Sequence, residues 1–219
     1  MPVVREPGPE AIFSGLRRFA RARPAVEVCE LCGAELAAGH QHLVDPARRR
    51  LACACDPCAI LFSRQAAATY KRVPRRIRAL QNFRLSDEQW DALAIPIGLA
   101  FFFRSSPLDK VVAFYPSPAG ATESLLSLDA WNDLAALNPV LGEMAPDVEA
   151  LLVNRVAELR GSNPPACYLA PIDACYRLVG IIRAHWRGFS GGSETWDELG
   201  RFFAALDAAA EPVAEARRA

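Results

Sequence analysis

Residues 97–115 read IGLAFFFRSSPLDKVVAFY. Ile97 to Arg104 is almost continuously apolar, and Lys110 to Tyr115 is apolar again after the turn residues Ser105 to Asp109, which predicts a β-hairpin. Apolar side chains at both parities of a strand are covered on both faces, so the two strands are expected to be central and buried by helices.

The helices are sought on either side. Ser86-Asp87-Glu88-Gln89 is a capping-box pattern in which Gln89 reaches back to the cap, and Trp90 and Leu93 follow on one face. Leu128 to Leu137, with Ser127 as its cap, turns Leu128, Trp131, Leu134 and Ala135 inwards. Val148 to Val156 and Cys167 to Pro171 read as two more strands around the turn Gly161 to Pro165, and a helix follows from Asp173 to about Arg187. Gly188 to Gly192 interrupts the chain before a last helix, Glu194 to Ala209, whose Trp196, Leu199, Phe202, Phe203 and Leu206 recur at helical spacing. Paired strands on hairpin-length connections, alternating with helices, predict an α+β domain over residues 73–209 on a largely antiparallel sheet. Residues 1–26 are rich in Pro and Arg with one amphipathic run, Ala11 to Arg21, and residues 210–219 are expected to be a mobile tail.

The strongest chemical signal lies at 27–72. Five of the seven cysteines, 29, 32, 53, 55 and 58, crowd into this segment, and an odd count with paired Cys-x-x-Cys spacing favours metal ligation over disulfides. In Cys29-Glu30-Leu31-Cys32-Gly33 the glycine after the second thiol permits the positive φ of a zinc knuckle. In Cys55-Asp56-Pro57-Cys58 the expected N-cap is Asp56 with Pro57 in the first turn of a helix over Ala59 to Tyr70, whose dipole favours thiolates. Between the pairs, His40 to Asp45 and Arg49 to Ala54 read as a hairpin turning at Asp45-Pro46-Ala47-Arg48. Knuckle, hairpin and helix resemble a treble-clef zinc module with ligands Cys29, Cys32, Cys55 and Cys58. The 22 residues between Cys32 and Cys55 slightly exceed the usual interval of about 15–20. Cys53 is therefore an alternative ligand or an outer neighbour, as are His40 and His42 should one cysteine be displaced. Zinc is the expected ion ahead of iron, and four thiolates leave no open position, which makes the role structural.

No stretch of about 18 residues is free of charge or proline and apolar throughout, and MPVVREPGPE lacks the core of a secretion signal, so a cytoplasmic chain without a membrane span is expected. The composition, 52% hydrophobic and 23% charged, excludes disorder, collagen and coiled coil as descriptions of the 219 residues. Net charge is zero, yet residues 1–80 hold 14 Lys/Arg against 7 Asp/Glu and the remainder 11 against 18. A basic front can meet nucleic acid, an acidic protein partner or the acidic remainder of its own chain. Its densest run, KRVPRRIR at 71–78, carries no aromatic stripe, and arginine outnumbers lysine 23 to 2 throughout, a bias of composition; a protein-docking face or linker is preferred to a nucleic-acid site.

Evidence for catalysis is thin. Cys175 and His185 stand ten helical residues apart, about 15 Å along the axis, and form no dyad on an intact helix. Cys175 and Cys167 are read as core residues, and Asp173 with Arg177 as an intrahelical pair. A candidate ligand pocket is built from Arg104, Tyr115, Ser117, Thr122, Glu123 and Ser124, around a loop dense in hydroxyls but matching no nucleotide-binding motif. No metalloprotease, hydrolase-elbow or kinase signature occurs.

Taken together, CELCG (29–33), HQHLVD (40–45), LACACDPC (51–58), IPIGLAFFFRSS (95–106), VVAFYPSPAGATES (111–124) and APIDACYRLVGIIRAHWRGF (170–189) resemble an uncharacterised bacterial family catalogued as a domain of unknown function. The resemblance runs from about Cys29 to Phe203. It implies genes beside nickel–iron uptake hydrogenases, and hence a non-enzymatic accessory or adaptor whose partner is a hydrogenase subunit or maturation factor. No catalytic residue is implied.

Overall fold

The computed structural model describes residues 26–64, 69–124, 129–156, 165–188 and 190–212. The expected amphipathic run at 11–21 and the proposed cap at Ser127 lie outside them, as do most of the turn at 161–165 and the tail beyond 212.

The protein is α+β with antiparallel sheets and, among the described residues, five α-helices. In chain order the elements are β1 (Gln41–Asp45), β2 (Arg50–Ala54), α1 (Asp56–Ser63), β3 (Lys71–Arg72), β4 (Arg78–Ala79), α2 (Asp87–Ala92), β5 (Leu99–Ser105), β6 (Lys110–Ser117) and β7 (Gly120–Glu123). There follow α3 (Ala130–Leu137), a 3-10 turn (Pro139–Glu143), β8 (Glu149–Asn154), β9 (Ala166–Pro171), α4 (Ile172–His185), α5 (Gly192–Ala209) and β10 (Glu211–Pro212). Seven strands form one sheet in the order β10-β4-β9-β8-β5-β6-β7, antiparallel except where β10 meets β4. A smaller sheet, β2-β1-β3, belongs to the cysteine-rich front.

The apolar run at 99–103 explains the layering. Leu99, Phe101 and Phe103 project to one face of the sheet, where Leu178, Ile182, Phe202 and Leu206 of α4 and α5 cover them. Ala100 and Phe102 project to the other, under Trp90, Leu93, Trp131 and Leu134. Rings interlock on both faces, with Phe101 and Phe103 stacked 5.6 and 5.8 Å from Phe114, and Phe102 stacked 5.7 Å from Trp131. Three layers, helix on sheet on helix, bury Leu99–Phe103 of β5 and Glu149–Val153 of β8 on both faces of the sheet.

Local chemistry sets the element ends. The Ser86 hydroxyl accepts from the Gln89 amide at 3.2 Å while the Gln89 carboxamide oxygen accepts from the Ser86 amide at 2.8 Å, so the capping box is complete. Ser86→Ala is expected to lower stability by about 1 kcal/mol, read from the urea midpoint, with Ser86→Thr closer to wild type. α5 starts at Gly192, two residues before the expected Glu194, because Gly191 takes φ 85°. A Cβ at Gly191 would also lie 3.1 Å from the Trp186 ring.

Four short strands escaped the sequence reading. β3, β4 and β10 have two residues each, too few for a period to show. β7 occupies the stretch read as a hydroxyl-rich loop, closing on β6 at Ser117–Gly120. Glu211 and Pro212 pair with β4, so the chain stays in the sheet just past α5.

Candidate metal centre

The two cysteine pairs are presented by different devices. At the first, Gly33 adopts φ 77° and its amide donates to the Cys29 carbonyl at 2.8 Å, while the Cys29 amide donates to Ala34 O at 2.7 Å. This tight turn points both thiols the same way. At the second, Cys55, in extended conformation, is the N-cap of α1, and Asp56 and Pro57 fill the first turn. The cap thus falls one residue before Asp56, because Cys55 must stay extended for its sulfur to turn back towards the knuckle. The Glu30 amide donates to Cys53 O at 2.9 Å and Glu30 Oε1 accepts from the Cys53 amide at 2.8 Å, which ties the knuckle to β2.

The sulfurs of Cys29, Cys32, Cys55 and Cys58 converge within 4.8 Å of one another. Cys32 Sγ and Cys55 Sγ are 3.7 Å apart, and the edge of a sulfur tetrahedron around an ion with 2.3 Å bonds is about 3.8 Å. The donor set and its size therefore suit a bound metal ion. Leu43, Ala54 and Ala59 pack beneath the sulfurs in a small core that holds few other apolar groups.

Electrostatics agree with a cation. Burial alone would raise the Cys29 thiol, but backbone amides of Cys55, Leu31 and Cys32 donate to its sulfur and bring it down to about 6. Its neighbours respond in the opposite sense: the Cys55 thiol, then burial, push Cys58 up to about 12. Sulfurs this close cannot all carry charge in the absence of a positive ion.

Cys53 and the two histidines lie elsewhere. Cys53 pairs with His42 across β1 and β2, which turns both to the face opposite Leu43. There His40, His42 and Cys53 form a second cluster whose ligand atoms also lie within 4.8 Å of one another. None of the three shares the four-sulfur cluster.

The same sheet face docks the front onto the larger domain. His42 Nδ1 donates to Asp173 Oδ2 at 2.6 Å, Arg49 to Glu123 at 2.5 Å and Lys71 to Asp147 at 2.5 Å, while Val44 and Val73 enter the core beneath α4. Asp173 is therefore engaged by His42, whereas Arg177 lies over the Phe202 ring at 5.1 Å, so the expected Asp173–Arg177 pair is replaced by contacts across the fold. The basic run 71–78 finds partners within its own chain although Arg72, Arg75 and Arg76 stay exposed and only Arg78 of its basic residues is buried: Arg72 donates to Gln41, Arg75 to the Gly39 carbonyl, Arg78 to Glu143 at 2.5 Å, and Arg76 lies 3.9 Å from Glu149.

Of the candidate pocket residues, Arg104 and Glu123 line one open hollow of about 820 Å³ together with Lys110, Trp131 and Asn132. The Glu123 carboxylate is held by Arg49 and Arg104 by Asp109 at 3.1 Å. Ser117 and Thr122 share a hydrogen bond at 3.0 Å, and Tyr115 pairs with Thr122 across β6 and β7. Ser124 extends that ladder through its amide to Ala113 O. Cys167 and Cys175 are buried, and His185 Nδ1 donates to Glu194 at 3.0 Å.

One surface escaped sequence reading. Ile60, Leu61 and Phe62 are exposed on α1, with Leu61 63% accessible, and Val26 and Val28 are exposed just before the knuckle. Three consecutive large apolar residues on a helix cannot all face one core, which was the available signal. No helix among the described residues is long and apolar enough to cross a membrane.

The sequence model of a family of unknown function, DUF5947, matches residues 28–210. No curated protein and no solved structure matches the chain.

Proposed function

The chain belongs to the DUF5947 family, and from its four-sulfur site and exposed apolar helix we propose a non-enzymatic zinc-binding adaptor that serves nickel–iron hydrogenase assembly or maturation. Four sulfurs within 4.8 Å of one another, one pair at 3.7 Å, support zinc in a structural, treble-clef-like module, since a closed sulfur shell leaves no position for substrate. The exposed Ile60, Leu61 and Phe62, next to the metal ligand Cys58, carry the adaptor reading. Large apolar side chains exposed on a module held by an ion are the form of a protein-docking face. The hydrogenase partner rests on the resemblance of the motifs to proteins encoded beside that enzyme.

The test is recovery of partners by the tagged full chain from cells making the hydrogenase. A hydrogenase subunit or maturation factor is expected with the wild type and is lost in Leu61→Asp/Phe62→Asp, whose zinc content stays at the wild-type value. Unchanged hydrogenase assembly after deletion of the gene would overturn the proposal.

A further inference from the structure

The cluster opposite the four sulfurs is built as a metal site in its own right. His40 and His42 stand with ring centroids 4.8 Å apart and nearly perpendicular, and Cys53 faces His42 across the β1–β2 ladder. Each ring is oriented through its Nδ1. His42 Nδ1 donates to Asp173 Oδ2 at 2.6 Å, and His40 Nδ1 donates to the Ala37 carbonyl at 3.1 Å with the Glu27 carboxylate 3.4 Å away. Acceptors on Nδ1 fix the proton there and leave Nε2 of the neutral ring as a bare lone pair. A carboxylate or carbonyl behind the ring is the arrangement that orients metal-bound histidines.

The second, independent observation is at His40. Its side chain is 9% exposed, and its Nε2 is buried with no hydrogen-bond partner. A buried acceptor without a donor carries a desolvation penalty that a cation would remove. We infer that His40, His42 and Cys53 bind a divalent ion of the zinc class at a second site, distinct from the four-cysteine centre. Two imidazoles and a thiolate suit zinc and its late first-row neighbours, and not calcium or magnesium. One ring nitrogen of each histidine and the Cys53 sulfur lie within 4.8 Å of one another, against about 3.5 Å between adjacent donors of a tetrahedral zinc ion. Binding the ion therefore requires the His42 and Cys53 side chains, both half-buried, to rotate and close that gap. Three protein ligands leave a fourth position for water or an incoming group, which the four-sulfur centre lacks. The site also spans the docking face, because Asp173 belongs to the larger domain, so occupancy ties the two parts together.

The experiment is metal stoichiometry of the full chain after equilibration with zinc and removal of excess, with X-ray absorption at the zinc edge. Wild type is expected to hold one equivalent more than His40→Ala/His42→Ala and to show imidazole scattering that the variant lacks, while the all-sulfur signal persists in both. Cys53→Ala, at a half-buried position, also loses the extra equivalent, and covers the case in which the histidine variant does not fold. Asp173→Asn keeps all three ligands and weakens the second equivalent 10–100-fold. Equal stoichiometry in wild type and Cys53→Ala, or an absence of imidazole scattering in the wild type, overturns the inference. A wild type with imidazole scattering but no all-sulfur signal would instead overturn the four-cysteine zinc reading and leave this site standing.

Discussion

Cys29→Ser is expected to abolish metal retention at the four-sulfur centre and to melt the front module while the seven-stranded sheet stays folded. Cys29 is buried, and its thiol is the one that backbone amides bring down to about 6, so its loss removes the best-prepared ligand. The core under the sulfurs, Leu43, Ala54 and Ala59, is too small to hold knuckle, hairpin and helix by apolar burial alone. Metal coordination has to supply the difference, and in zinc-finger peptides it is worth about 10–16 kcal/mol at neutral pH. Chelation of the wild type should reproduce the effect. Hydrogen exchange would show amides of β1, β2 and α1 losing protection while those of β5 and β8 keep it. The pH dependence has a definite sign: protons compete with the ion for sulfur, so retention weakens as pH falls. A chelated chain with unchanged protection in β1 and β2 would show that the module stands without metal.

Phe101→Ala is expected to cost about 3–5 kcal/mol. Phe101 is fully buried in the middle of β5, stacked on Phe114 and edge-on to Tyr176 at 6.0 Å, so the cavity has rigid walls on several sides. At roughly 2–4 °C per kcal/mol for a chain of this size, the melting temperature should fall by on the order of 10 °C. Leu108→Ala, at an exposed position of the same hairpin, should stay within about 0.5 kcal/mol. A small shift for Phe101→Ala would mean that α4 and α5 can collapse onto the gap.

Several features are legible in the sequence alone. The hairpin at 97–115 was visible because apolar residues at both parities allow few alternatives to a strand covered on both faces. The capping box at Ser86 was visible because its hydrogen bonds link residues three apart. The cysteine pairs were visible because Cys-x-x-Cys spacing brings two sulfurs together within one turn of backbone. In each case cause and effect lie within a few residues. The helix at Asp173 was foreseen on the same grounds, but the partner of Asp173 was not.

Chain-local chemistry by itself thus determined the α+β class, the buried hairpin and the four thiols offered to an ion. Only the tertiary structure decided that the basic front lies against the acidic remainder, through Arg49–Glu123 and Lys71–Asp147, and that residues 78–79 and 211–212 complete a sheet edge. It alone turned Cys53 and His42 away from the sulfurs and brought His42 to Asp173, 131 residues along the chain. Spacing and periodicity report the backbone within a turn or a strand, whereas these contacts depend on which faces remain once the two cores have closed.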